Sequence, residues 1–196
     1  MTPDRRIERH VAAVFAVIAA LFASIPTAAV AEDGFAALQR PGVALLMRHA
    51  LAPGTGDPAS FSLDDCATQR NLSDEGRAQA GRIGETFERR GVAFDRILTS
   101  QWCRCRETAE ILDLGEVEDF PPLNSFFQDR STADAQTEEV LAFLAALPDD
   151  QRVLLVTHQV NVTALTGVFP KSGEAIVVDL SPDGGVEVLG SILIEP

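Results

Sequence analysis

Two of the three histidines in this chain end apolar runs. His49 closes Val43-Ala44-Leu45-Leu46-Met47-Arg48-His49, and His158 closes Val153-Leu154-Leu155-Val156-Thr157-His158. Runs of this kind read as buried strands. In open α/β sheets, ligands bind outside the carboxyl ends of the strands. Two imidazoles at strand ends, one beside Arg48, therefore predict a catalytic pair with a phosphate clamp. One histidine in such a place is more often structural; two in matching places weigh against that reading.

The elements that would carry them follow from patterning. Ala52 to Asn71 is polar and holds Pro53-Gly54-Thr55-Gly56-Asp57-Pro58, a loop bordering the site. Its glycines make only a weak phosphate loop, because no Gly-Lys-Ser/Thr follows. Ser73 caps a helix that carries Asp74 and Glu75 in its first turn and stops at Gly91. A short strand over 95–100 and a helix over about 102–113 come next. Residues 116–132 read as irregular. A helix over about 133–147 sets Val140, Phe143, Leu144 and Leu147 on one core face. The 152–157 strand, a helix over 160–166 and a hairpin, 175–180 and 186–194, complete the pattern. Alternating strands and helices predict an α/β fold, a three-layer αβα sandwich around a mostly parallel sheet.

Residues 1–31 read as a secretory signal. Arg5, Arg6 and Arg9 form a basic start, Val11–Ile25 is apolar but short for a membrane span, and Ala29-Val30-Ala31 suits cleavage before Glu32. His10 would be lost with it, leaving residues 32–196 as one domain. An uncleaved N-terminal anchor is the alternative. The expectation is a periplasmic or secreted protein, off the membrane once cleaved. The chain carries −13 at pH 7 with Lys171 as its only lysine, so nucleic acid and anionic lipid are not expected partners. A phosphate site must then be a local basic pocket. Composition sets no oligomeric state.

Cys66, Cys103 and Cys105 imply one disulfide and one spare thiol in an oxidising compartment. Cys103-x-Cys105 also raises zinc. With both histidines better explained otherwise, neither a metal nor an organic cofactor is expected.

Four ordered segments carry a resemblance. Leu46-Met47-Arg48-His49-Ala50 resembles the Arg-His-Gly signature of the histidine phosphatase superfamily, the phosphoglycerate mutase-like fold. Leu72-Ser73-Asp74-Glu75-Gly76-Arg77-Ala78-Gln79-Ala80 is similar to its Leu-Ser/Thr-x-x-Gly-x-x-Gln-Ala helix start. Ser100 to Ala109 resembles its Ser-x-x-x-Arg-x-x-x-Thr-Ala segment, and Val156-Thr157-His158 the strand bearing its second histidine. The resemblance implies that His49 is a nucleophile forming a phosphohistidine, and that Arg48, Arg104 and His158 clamp the phosphoryl oxygens of a small phosphorylated substrate. Chemistry agrees: neutral imidazole is a competent nucleophile, and flanking arginines favour that form. Family pattern selects Arg104; chemistry alone does not separate it from Arg106. Gln69 and Arg70 are candidate substrate-binding residues, with a plain loop role as the alternative.

Departures from the pattern matter as much. Ala50 stands where the family has glycine. Gln159-Val160-Asn161 follows His158, which argues against phytase-like chemistry. Leu123-Asn124-Ser125 places serine where the mutase branch has glutamate. Asp57, Asp129 and Glu138 are the candidates for a leaving-group acid, and the chain also reads as one that lacks an acid altogether. That suits good leaving groups and argues against a mutase. The family topology further implies that Cys66 and Cys103 flank one pocket and bridge, with Cys66–Cys105 as the near alternative. Cys103 and Cys105 diverge as i, i+2 neighbours. The expected activity is a metal-independent phosphomonoester hydrolase acting on a small or sugar phosphate in the cell envelope. A phosphohistidine phosphatase and a non-catalytic phosphate-ester-binding protein are the other readings.

Overall fold

The computed structural model describes residues 32–181 and 183–196. The expected signal segment and His10 lie outside the described residues. The chain order is β1 (Glu32–Asp33), α1 (Gly34–Ala37), β2 (Ala44–Arg48), α2 (Asp74–Arg89), β3 (Arg96–Thr99), α3 (Cys103–Leu112), β4 (Val117–Asp119), α4 (Ala133–Ala145), β5 (Val153–Thr157), α5 (Gln159–Thr166), β6 (Ala175–Leu180) and β7 (Val186–Ile192). The sheet order is β1-β7-β6-β2-β5-β3-β4. The pairs β2–β5, β5–β3, β3–β4 and β1–β7 are parallel; β2–β6 and β6–β7 are antiparallel.

Alternation along the central strands makes the three layers. Leu45, Met47, Leu154 and Val156 face one way and pack with Ile83 and Phe87 of α2 and Ala109 and Leu112 of α3. Ala44, Leu46, Val153 and Leu155 face the other way and pack with Val140 and Leu144 of α4 and Val162 of α5. Side chains of period two give a central strand two apolar faces, so these strands read as unbroken apolar runs. The α/β sandwich expected from the sequence is the fold observed. Among the described residues no helix is long and apolar enough to cross a membrane.

Where expectation and structure differ, the reasons are local. Val117–Asp119 lies in the stretch read as irregular, yet it pairs with β3 as an edge strand. Three residues are too few to show a period, and backbone pairing supplies what the side chains do not. Glu32–Ala37, left unassigned by patterning, pairs with β7 and turns into one helical turn under the sheet. Phe143 and Leu147 do share the face of Val140 and Leu144, although α4 ends at Ala145.

Candidate active site

Register places the two histidines. β2 and β5 are adjacent and parallel, with Arg48 opposite Thr157. The next residue on each strand is a histidine, so both imidazoles emerge side by side, ring centroids 5.6 Å apart. Each is almost fully buried.

Hydrogen-bond partners set the tautomers. His49 Nδ1–H donates to the Ala50 carbonyl at 2.7 Å. Its Nε2 therefore keeps a lone pair, and Arg104 Nε donates to it at 3.2 Å. His158 Nδ1 accepts from Arg104 Nη2 at 3.3 Å. Its Nε2–H donates to Ser100 Oγ at 2.9 Å, and that hydroxyl donates on to Asn124 Oδ1 at 3.2 Å. Burial, then the Arg104 charge, holds both imidazoles well below the ordinary histidine range. Both are neutral at physiological pH.

Arg104 is the hub. Its side chain is 2 % exposed, and Asp57 opposite is 5 % exposed. Nη1 reaches Asp57 Oδ1 at 2.7 Å and the Arg70 carbonyl at 3.2 Å, and Nη2 reaches Asp57 Oδ2 at 3.1 Å. With the two histidine contacts, all five N–H donors of the guanidinium are engaged. Asp57 also accepts from Trp102 Nε1 and the Arg70 amide. Burial pushes the Asp57 carboxyl up, but the Arg104 hydrogen bonds and charge outweigh it, and the group stays ionised.

Thr108, Gln79 and Gly76 of the motif segments brace the site. Thr108 Oγ1 accepts from the Ala50 amide at 3.1 Å and donates to the Arg104 carbonyl at 2.6 Å, tying the residue after His49 to the clamp helix. Gln79 Oε1 accepts from the Leu51 amide at 3.0 Å. Gly76 passes so close beneath Leu51 that a Cβ would sit 2.0 Å from its carbonyl oxygen. The methyl of Ala50 is accommodated: the residue is fully buried.

Arg48, Arg70 and Arg104 line a cavity of about 340 Å³ together with His49 and His158. Arg48 Nη1 donates to the Pro170 carbonyl at 2.9 Å, while its buried Nε has no protein partner. Arg70 donates to the carbonyls of Gly56 and Ala52. Burial, then repulsion from Arg104, pushes its guanidinium down to about 10, still charged at neutral pH. Three cations around a neutral imidazole lone pair are suited to a phosphoryl group. Among the described residues no three histidine, cysteine, aspartate or glutamate side chains converge as a metal site.

The remaining candidates separate. Gln69 is buried but does not line the cavity; its amide bridges Ser62 and Leu63 carbonyls to the Cys103 amide. It holds the loop against the start of α3. Of the acid candidates, Asp57 alone reaches the cavity, and there it serves Arg104. Asp129 caps the turn at Ser131, and Glu138 is exposed on α4; neither lines the cavity. Arg106 points outward to Asp119. Cys66 and Cys103 form a disulfide, and Cys105 is free, buried and 3.5 Å from His158 Nε2. Burial pushes its thiol up to about 12, so it remains protonated.

Sequence reading missed Asn124 and Trp102 as partners of the histidine and Asp57, and Phe127 and Phe169 at the mouth. Trp102 and Ser100 lay inside a recognised segment. Nothing in the local sequence marked the two phenylalanines.

The sequence model of the histidine phosphatase superfamily (branch 1) matches residues 45–126. No curated protein sequence matches the chain. Among solved structures, the SixA protein of Agrobacterium tumefaciens superposes with a TM-score of 0.56 at 20% identity, over 79% of this chain and 99% of its own. The protein histidine phosphatase SixA in complex with tungstate gives 0.55 at 17% identity, over 76% and 96%. A mycobacterial glucosyl-3-phosphoglycerate phosphatase bound to VO3 gives 0.54 at 18% identity, over 74% and 96%. At these identities the likeness speaks for the fold. The family match over residues 45–126, the four motif segments and the shared α/β architecture together support the histidine phosphatase superfamily as the family this chain resembles.

Proposed function

We propose that the protein is a phosphomonoester hydrolase that works through a phosphohistidine on His49. One observation carries this: the His49 Nε2 lone pair, its tautomer held by Ala50, sits among three arginines at the floor of a cavity. That lone pair attacks phosphorus, the ester P–O bond breaks, and the leaving oxygen takes the bonding electrons. Water then attacks the phosphohistidine, the P–N bond returns its pair to Nε2, phosphate departs, and the proton given up by the water balances, through solvent, the one taken up by the leaving oxygen. Arg48 and His158 hold the non-bridging oxygens, joined by Arg104 as the phosphoryl group takes over the donors now spent on His49 Nε2 and His158 Nδ1. Burial and then the Arg104 charge keep His158 neutral; a bound dianion opposes both and so favours the protonated ring as a donor. Rigid donors of this kind are worth roughly 3–4 kcal/mol each where charge develops.

The reading needs no metal ion, since the arginines supply the charge. The Cys66–Cys103 bridge supports an oxidising compartment and hence export, with residues 1–31 as the leader. The substrate is then a small phosphate ester, a sugar phosphate among them, of the cell envelope. Likeness to SixA and the lack of a free acid in the cavity favour phosphohistidine hydrolysis as the second reading. Retention of the clamp without turnover is the third.

The test is hydrolysis of p-nitrophenyl phosphate by the purified protein, a substrate that needs little leaving-group protonation. Turnover that resists EDTA, yields to vanadate and leaves an acid-labile, base-stable label on His49 supports the reading. No turnover, with phosphate still bound, favours the binding protein.

A further inference from the structure

The mouth of the cavity carries two aromatic side chains with no core role. Phe127 is 44 % exposed and Phe169 72 % exposed, and both line the cavity above the arginines. Exposed large apolar side chains scattered over a surface mean little; two converging on one polar pocket are informative.

The residues next to both rings are tied to the phosphate floor. Beside Phe127, Gln128 Nε2 donates to the Asp57 carbonyl at 3.1 Å, and Asp57 grips Arg104. Phe126 is buried, which turns Phe127 outward. Beside Phe169, the Pro170 carbonyl accepts from Arg48 at 2.9 Å, and the Val168 carbonyl accepts from Thr163 Oγ1 at 2.8 Å. Each ring is thus one residue from a bond to a cation-holding group.

Leaving-group chemistry points the same way. In-line attack by His49 Nε2 sends the leaving oxygen away from the floor, toward the mouth. The mouth offers Thr55, Ser125 and Gln128, none of them an acid. The cavity's one carboxylate, Asp57, is held ionised by Arg104. An alkoxide leaving unprotonated is costly; a phenoxide, whose conjugate acid has a pKa of about 10, is far less so.

We propose that the preferred substrates are aryl phosphomonoesters whose planar ring seats against Phe127 and Phe169 while the phosphoryl group occupies the arginine floor. This rests on the phosphatase reading above and narrows its substrate to one class. His49 Nε2 takes the phosphoryl group, the P–O(aryl) bond breaks, the aryloxide leaves with the electron pair and takes its proton from water. The rings add offset or edge contacts worth a few-fold in affinity each.

Binding and turnover test this separately. Benzylphosphonate, cyclohexylmethylphosphonate and methylphosphonate are titrated calorimetrically into the purified protein. The benzyl compound should bind roughly two- to tenfold tighter than its cyclohexyl isostere, and tighter still than methylphosphonate. The Phe127→Ala/Phe169→Ala double variant, its fold checked by circular dichroism, should lose the benzyl-over-cyclohexyl preference. Equal affinities for the two ring compounds, or a preference that survives in the double variant, overturn the proposal whatever the turnover. In parallel, phenyl phosphate should be hydrolysed and cyclohexyl phosphate hardly at all; comparable rates overturn the leaving-group argument. Acetyl phosphate, activated but without a ring, reports on the phosphatase reading alone: failure to hydrolyse it sinks that reading and leaves the calorimetry to judge the aromatic seat.

Discussion

At the floor of the cavity every N–H of Arg104 has a protein partner and the side chain is 2 % exposed; at the mouth, Phe127 and Phe169 are 44 % and 72 % exposed. The floor is a closed network in which His49, His158, Asp57 and Arg104 fix one another. An arriving phosphoryl group must displace the Arg104 contacts to His49 and His158, while the Asp57 pair keeps the guanidinium in place. The two rings at the mouth sit on loops tied to the network beside them, at Gln128 to the Asp57 carbonyl and at the Pro170 carbonyl to Arg48. The difference separates two tasks. Chemistry common to phosphate esters belongs to the floor, and discrimination among esters belongs to the mouth.

Removing the proposed nucleophile breaks the comparison most sharply. His49→Ala should abolish turnover of activated phosphoesters while leaving the fold intact, since the ring ends a strand and faces a cavity. Activity within about tenfold of wild type on p-nitrophenyl phosphate would sink the phosphohistidine mechanism.

Next in size is the pair that holds the clamp. Asp57→Asn removes a buried charge and sets an amide N–H against donors of Arg104 or Trp102. Breaking one side of a buried ion pair costs about 3–5 kcal/mol. The variant should unfold at lower denaturant and lose turnover together, because Arg104 is left charged and unanchored. An unchanged denaturation midpoint would show that Arg104 does not depend on Asp57.

The floor was largely legible in the sequence because each of its parts sits at the end of an element with a strong signal. His49 and His158 close apolar runs, and Arg104 opens a helix. What stayed hidden was pairing across distance. Asp57 read as an acid candidate because nothing in a glycine-rich loop announces a partner 47 residues on. Gln69 reads equally as a substrate ligand or as a loop residue, and its amide is spent on Ser62, Leu63 and Cys103. The mouth was illegible for a different reason. Phe126 and Phe127 are adjacent in a segment with no period, so the sequence does not tell which ring is buried. The sheet was readable where strands bury two faces; the edge strand Val117–Asp119 was not, because backbone pairing alone makes it.

The disulfide braces the floor from outside the cavity, since it joins the exposed loop at Cys66 to the residue before Arg104. Closing a loop with sequence separation 37 restricts the unfolded chain by about 3–4 kcal/mol. Reduction should lower the thermal midpoint by several degrees. It should also lower turnover, because Cys103 abuts the clamp and its amide is tied to Gln69. Reduction that lowers stability but leaves kcat untouched would make the bridge a staple for the fold alone.

The smallest effect tests the electrostatics of the floor. Burial and then Arg104 depress both imidazoles in the folded protein, whereas in the unfolded chain they titrate near about 6.5. Below that value the unfolded chain takes up protons that the folded one refuses, so stability falls as pH drops from about 6.5 toward the folded values and is fully present above it. Asp57, also depressed, adds a loss in the same direction at lower pH. For turnover the sign is the same and the position differs. The free enzyme's His49 stays neutral below the ordinary histidine range, so the acid limb of kcat/KM attributable to it should lie under about pH 6.5. Substrate ionisation adds its own limb near pH 6, so the profile is taken with two phosphomonoesters of different second pKa, and the limb common to both is assigned to the protein. In Arg48→Gln that common limb should move upward, because one of the like charges is gone. An acid limb above 7 in the wild-type protein would mean that burial and the arginines do not hold the proposed nucleophile neutral, and no upward movement in the variant would mean that Arg48 takes no part in doing so.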